Sequence, residues 1–408
     1  MTSDTTLAMG GRKRYAILAS GMLIQLCAGI IYLWSVFKNP VAVNLGGWDT
    51  TMVSSAMLVS FVGGILIGGT IMDRIGVRPT CVAGSLLMSM GILLSAFVNS
   101  DAPFLMYVTY SIMGGFGVGT IYTCTVSPIQ KWFFDKRGFA TGLMIFAFGF
   151  SLVVFAPLVR YLIDTQGVSN TFLILGGVFA IVCTVASLMM RNPPANYATS
   201  PNKTAVLSAQ KQYTTREMLR RPSFYLIALS LFFVLSTYFM LNPYFLGLGE
   251  DRGLSSDLAT AGVMVTGICS AAGRLGINWL SDKISRTTSV LLISAISAAG
   301  AVAAIFAHDL FFIVTIAAVS FAFGGIAGVS STITADHFGT KNMGTNYGFV
   351  MLGYAASALV FMQLCKSLSD NGHGSFTAPL IIATAACIGS LICALLLRTQ
   401  KKDQPTAQ

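Results

Sequence analysis

Apolar and polar positions alternate in long blocks along this chain. Twelve mostly apolar stretches fall at 15–37, 51–72, 79–99, 103–129, 138–159, 170–190, 223–247, 257–280, 288–307, 310–335, 343–365 and 376–397. Each is long enough to cross a hydrocarbon layer ~30 Å thick as a helix rising ~1.5 Å per residue. One long polar segment interrupts the series. It runs from Arg191 to Pro222, contains NPPANYATSPNKT and MLRRPS, and separates six spans from six. The pattern predicts an all-α membrane protein of twelve transmembrane helices in two six-helix bundles, 1–190 and 223–408, joined by a linker at 191–222. A short amphipathic helix is expected near 214–221, and the Asn242-Pro243 pair should kink or break the seventh span, because proline removes a backbone donor.

Composition agrees with the pattern. Of 408 residues, 54% are hydrophobic and 10% charged, against ~25% charged in soluble domains, and the mean hydropathy is +0.74. The 41 glycines suit lipid-embedded helices that pack closely. All eight cysteines fall inside apolar spans and read as small packing residues rather than a disulfide framework. The three histidines, His308, His337 and His373, are expected in loops, so no cofactor or metal site is expected and the usual membrane enzymes are excluded. The basic segment before the first span is followed by no small-residue cleavage site, and an uncleaved first helix is expected.

The Lys and Arg residues give an orientation. With the N-terminus inside, 20 of the 25 fall in cytoplasmic segments and four (Lys38, Arg160, Arg252 and Lys366) in outer loops, the bias that sets topology in a plasma (inner) membrane with both termini cytoplasmic. The net charge of +10 is thus mostly topology, and no nucleic-acid partner is indicated.

The remaining cation is Arg274. It sits in LATAGVMVTGICSAAGRLGINWL, residues 258–280, eight residues before Asp282, which places it ~12 Å from that end and near the middle of the hydrocarbon layer. An arginine at such depth costs between ~3 and ~10 kcal/mol unless it faces a wet cavity and an anion. All 15 Asp and Glu lie in loops or at helix ends, so a small organic carboxylate, gripped by two parallel hydrogen bonds, is the expected partner. The competing reading has Arg274 satisfied structurally by backbone carbonyls or by Asn278. A cationic-drug exporter is disfavoured because it would need a buried carboxylate.

Two sequence echoes point to duplicated halves. Asp73-Arg74-Ile75-Gly76 recurs as Asp282-Lys283-Ile284-Ser285, 209 residues on, and Gly138-x3-Gly142 recurs as Gly344-x3-Gly348, 206 residues on. Parallel repeats of this kind belong to transporters whose halves rock about a central site.

The motif Gly69-x3-Asp73-Arg74-x-Gly76-x-Arg78 resembles the loop signature of the major facilitator superfamily. Within that superfamily, the stretch from Trp132 through Asp135-Lys136-Arg137-Gly138 to Gly142, the Gly273-Arg274 pair before Trp279–Lys283, and Asn346-Tyr347-Gly348 are similar to the oxalate/formate antiporter family. The Asp-Lys-Arg-Gly stretch is also similar to a monocarboxylate transporter signature. The resemblance implies alternating-access transport of a small carboxylate by a monomer, with Arg274 on the substrate carboxylate and Tyr32, Tyr122 and Phe323 as pocket aromatics. Tyr354 and Tyr238 are added from their central position in their spans. Asp73 is expected to hold a conformational lock near helix N-termini, with Arg74, Arg78, Lys136 and Arg137 as its partners and Asp282 as its repeat counterpart. The sequence departs from the resemblance in two places. Tyr354 stands where the oxalate carriers place a second cation, which favours a monocarboxylate over a dicarboxylate. Ser270 stands where monocarboxylate transporters place an acid, which leaves proton-linked transport and anion exchange both open. A carboxylate sensor that signals without transport is the remaining alternative.

Overall fold

The computed structural model describes residues 2–194, 211–371 and 376–402, and no strand occurs among them. Residues 195–210 of the expected linker, and His373, lie outside the described residues. The chain divides into two compact units. Unit 1 is Met1–Thr215 with Phe338–Phe349, and unit 2 is Arg216–His337 with Val350–Gln408.

Unit 1 contains α1 (Thr2–Ala28), α2 (Trp34–Asn44), α3 (Thr51–Ile75), α4 (Val77–Ser95), α5 (Gly115–Trp132) and α6 (Arg137–Met189). The first apolar span is not one continuous helix. α1 tightens into a 3-10 turn at Gly29–Tyr32 before α2 begins, where Gly29 lies against the Phe148 carbonyl and Ser151 with no room for a side chain. A π-helical stretch, Tyr107–Gly114, leads into α5. α6 has 53 residues, ~80 Å if unbroken and far more than one crossing needs. It breaks at Gly167, whose φ of 79° and ψ of 170° only glycine adopts readily. The eleven described helical segments that are long and apolar enough to span a membrane therefore make twelve crossings.

Unit 2 follows a five-residue helix, α7 (Thr215–Leu219), inside the expected amphipathic segment. It contains α8 (Pro222–Val234), α9 (Ser236–Leu241), α10 (Phe245–Asp251), α11 (Ser256–Lys283), α12 (Arg286–Phe306), α13 (Asp309–Phe338), α14 (Met343–Asn371) and α15 (Thr377–Lys402). The seventh span is interrupted at Leu235 and again by a 3-10 turn at Asn242–Tyr244, the position of the Asn242-Pro243 pair. His337 is in the last turn of α13, not in a loop, with Nδ1 3.0 Å from the Ile333 carbonyl oxygen. The first seven residues of α14, Met343–Phe349, group with unit 1, so the division differs from boundaries drawn at 190 and 223.

The two units repeat one packing device. In unit 1, Gly64 of α3 meets the Phe116 carbonyl of α5, and Gly119 of α5 meets the Phe61 carbonyl of α3. In unit 2, Gly273 of α11 meets the Phe321 carbonyl of α13, and Gly324 of α13 meets the Ser270 carbonyl of α11. A Cβ at any of the four glycines would overlap the opposing backbone, so the helices touch main chain to main chain. The paired positions are 209 residues apart on α3 and α11 and 205 apart on α5 and α13. The duplication seen in the loop motifs thus extends to the packing inside each unit.

Candidate functional site

Arg274 lies in α11, nine residues before its end at Lys283, and is 3% exposed. The knuckle formed by Gly273 and Gly324 fixes its height, because α11 and α13 cannot slide while their backbones are in contact. Asn278, one turn on, spans the same two helices. Its amide nitrogen donates to the Arg274 carbonyl oxygen at 2.6 Å and reaches the Gly325 carbonyl oxygen at 3.5 Å. Its Oδ1 is buried and accepts no hydrogen bond. The Asn278 side chain therefore secures the main chain at Arg274 and is not the acceptor for the guanidinium that the structural reading required.

A set of aromatic rings belongs to the same unit. Tyr238 of α9 stacks on Phe323 of α13 at 3.7 Å between centroids and 9° between planes. Phe239 meets Phe323 edge-on at 6.1 Å and Tyr354 of α14 at 5.3 Å. Phe323 and Phe239 are each 5% exposed, while Tyr238 and Tyr354 are half-buried. Of the expected residues in this unit, Phe323, Tyr238 and Tyr354 thus form one chain of rings, and Phe239, which no motif marks, is the ring that joins them. Ser270, one turn before Arg274, is buried and brings no carboxyl.

Unit 1 has its own aromatic group. Phe148 of α6 is its hub, with centroids 5.3 Å from Tyr32, 5.5 Å from Tyr122 and 6.1 Å from Phe61. Phe61 also meets Tyr122 edge-on at 5.5 Å. Tyr32 and Tyr122 are therefore brought together, through a phenylalanine that sequence reasoning did not select. Edge-to-face contacts among these rings lock their orientations.

The loop-motif acids are placed differently in the two repeats. Asp73, at the end of α3, accepts hydrogen bonds from the first turn of α14: the Thr345 amide at 2.8 Å, the Gly344 amide at 3.3 Å and the Thr345 hydroxyl at 3.0 Å. A carboxylate there meets unpaired amides and the positive end of the helix dipole. Gly69 and Gly344, in backbone contact, let the two elements approach. The expected cationic partners are corrected. Among the described residues Asp73 forms no ion pair with Arg74, Arg78, Lys136 or Arg137; the first three are exposed and Arg137 is buried, and the nearby cation that acts on Asp73 is Lys131. In unit 2, Asp282 pairs with Arg286 at 2.6 Å. Arg286 also reaches Asp336 at 3.1 Å and the Ser281 hydroxyl at 2.5 Å. Two carboxylates thus offset a cation placed at the otherwise unfavourable first residue of α12. The Asp282–Arg286 pair crosses the turn between α11 and α12 at Ile284 and Ser285, so no helical spacing marked it, and Asp336 had no signal in the sequence.

Residues 16–362 and 227–408 match the sequence model of the Major Facilitator Superfamily. The chain belongs to this superfamily. It is 28% identical over 404 residues to the oxalate:formate antiporter of Oxalobacter formigenes, covering 97% of this chain and 94% of that protein. It is 24% identical over 361 residues to monocarboxylate transporter 12 of Xenopus laevis, covering 82% of this chain and 76% of that one. Its fold is similar to that of the superfamily transporter FucP in the outward conformation, with a TM-score of 0.71 at 15% identity over 94% of this chain and 98% of the other. As a superfamily member the protein is an integral membrane transporter and not an enzyme. Unit 2 contains a buried cation beside a glycine knuckle, and unit 1 contains an uncharged aromatic group.

Proposed function

We propose that the protein moves a small monocarboxylate of the lactate, pyruvate or formate class across the membrane by alternating access. Arg274 carries this reading: it is a guanidinium buried within α11, nine residues before that helix ends, and no Asp or Glu in the sequence lies within seven residues of it. A planar fork of N–H donors matches a carboxylate with two charge-assisted hydrogen bonds. Likeness to an oxalate:formate antiporter and to a monocarboxylate transporter supports the substrate class. Phe323 and Tyr354 are proposed as the apolar wall and phenol that accompany Arg274 in unit 2, with Tyr238 beside them. Tyr32 and Tyr122 are proposed as the functional phenols of unit 1. Asp73, Arg74, Arg78, Lys136, Arg137 and Asp282 are proposed to govern the conformational cycle.

A monoanion matches one arginine. A dianion would leave a second carboxylate without a cation, because position 354 is tyrosine, at a cost on the order of several kcal/mol. The second reading, an oxalate:formate-type antiporter, is favoured by the near-full-length match to that relative. The movement is proton-linked or runs by anion exchange, the former preferred because a lone anion would otherwise carry net charge across the membrane potential. With Ser270 in place of an acid, the proton would ride on the substrate carboxyl or on Asp251 or Asp257. The Lys and Arg distribution supports a plasma (inner) membrane protein with both termini in the cytoplasm, acting as a monomer.

Proteoliposomes carrying the purified protein test the reading. Radiolabelled lactate, formate and oxalate are supplied with and without a pH gradient, and with and without internal counter-substrate. Faster lactate or formate uptake on an inward proton gradient is the expected result. Uptake of oxalate alone, driven only by internal formate, would replace it with the antiporter reading, and specific binding with no flux under any gradient would favour the sensor.

A further inference from the structure

α8 and α15 are packed along their middle. The Ser390 hydroxyl donates to the Ser230 carbonyl at 3.0 Å, and Gly389 lies against the Phe233 ring. Toward the end that bears the linker they separate, leaving a groove of about 430 Å³ lined by Arg220, Pro222, Tyr225, Leu226, Leu396 and Thr399. Its wall is apolar and open to the surroundings: Tyr225 is 53% exposed and Leu396 49% exposed. Its rim is cationic. Arg220 is exposed, and among the described residues no carboxylate pairs with its guanidinium. Arg398, also exposed, adjoins Thr399. No Asp or Glu occurs between Met218 and Gly249 or between Asn371 and Lys402; the acids nearest in sequence are Glu217 and Asp403. The hydroxyl of Thr399 donates to the Leu396 carbonyl at 2.8 Å, which leaves the Arg220 guanidinium as the charged group of the lining, with the Tyr225 hydroxyl beside it as a second polar group.

An occupant must therefore be anionic at the rim and aliphatic below it, and must lie at the depth where a spanning helix leaves the hydrocarbon. Tyrosine is enriched at that level and arginine snorkels to it. An anionic phospholipid has this chemistry, with a phosphodiester for the guanidinium and a chain for the apolar wall. We infer that the groove between α8 and α15 holds one anionic phospholipid, its phosphodiester on Arg220 and an acyl chain laid between Tyr225 and Leu396. Bound there, the lipid ties the start of unit 2 to its last helix.

Native mass spectrometry of the full-length protein tests this, after equilibration in mixed micelles containing dioleoyl phosphatidylglycerol or dioleoyl phosphatidylcholine. The protein is expected to retain one phosphatidylglycerol, with phosphatidylcholine retained at least fivefold less. Arg220→Gln should lower phosphatidylglycerol retention at least fivefold, whereas Arg160→Gln, an exposed arginine of unit 1, should leave it unchanged. Leu396→Trp fills the groove with Arg220 intact and should lower retention to the same extent. Both substituted positions are exposed, so an unshifted melting temperature accompanies the expected result. Equal retention of the two lipids, or full retention in either groove variant, would overturn the assignment. So would a several-fold rise in retention on removing residues 403–408, which would make that segment the occupant.

Discussion

The glycine knuckles of the two units are built alike and carry different side chains next to the contact. In α11 the residue after Gly273 is Arg274; at the equivalent position in α3, after Gly64, it is Ile65. Both are buried, Arg274 at 3% exposure and Ile65 at 0%. The scaffold that places a side chain at this height is therefore common to both repeats, and the charge is not. What distinguishes them is one guanidinium and the identity of the rings that each unit clusters. The unit with the cation has Tyr238, Phe239, Phe323 and Tyr354 in contact, while the unit without it has Tyr32, Phe61, Tyr122 and Phe148. The two repeats thus share a packing device and differ in charge, and the proposed binding of a single anion rests on that difference.

This comparison is broken most directly at the two equivalent positions. Arg274→Ala should lower monocarboxylate uptake roughly 100-fold, since removing one partner of a desolvated charge pair costs about 3 kcal/mol. Ile65→Val should lower stability by about 1 kcal/mol and leave uptake within about twofold. Proteoliposome flux normalised to inserted protein separates the outcomes.

Adding a charge sharpens the contrast from the other side. Tyr354→Lys supplies a second cation to unit 2, and the ratio of oxalate to lactate uptake should rise several-fold. An unchanged ratio in a correctly inserted variant would count against the one-cation account of selectivity.

The knuckles themselves should behave alike. Gly64→Val and Gly273→Val each force a side chain into opposing backbone, and each should cost about 1–3 kcal/mol or more, read as a lowered melting temperature in detergent. If only the unit 2 variant were destabilised, the equivalence of the two contacts would fail.

The smallest effects are expected at the loop-motif acids. Asp73→Ala removes an acceptor from two amides and a hydroxyl at the start of α14 and should cost about 1 kcal/mol. Asp282→Ala leaves Arg286 paired with Asp336 and should cost less than about 1 kcal/mol. Thermal melts of the two variants decide whether the echoed motifs differ as their partners do.

The spans, the break at Asn242–Pro243 and Arg274 were all legible in the sequence, because each is a local contrast: apolar against polar, proline within a helix, one charge within an uncharged window. The interruption at Gly29–Tyr32 was not, since it arises from backbone contact with Phe148 and Ser151 more than a hundred residues away. Phe148 and Phe239 could not be chosen from 28 phenylalanines without knowing which rings meet. The loop motif gave Asp73 a place near a helix N-terminus, where it accepts from the Gly344 and Thr345 amides, but the wrong cations. Which helix start it meets has no sequence signature. His337 was assigned to a loop because the apolar pattern fades before α13 ends.

Equilibrium binding of a radiolabelled monocarboxylate to the purified protein and to Arg274→Gln tests the central claim without any assumption about coupling or direction. Gln keeps much of the side-chain volume and two donors but removes the charge, and a preserved melting temperature establishes that the variant is folded. The account predicts saturable binding by the native protein and an affinity lower by roughly two orders of magnitude in the variant. Equal affinity in the two proteins would contradict it.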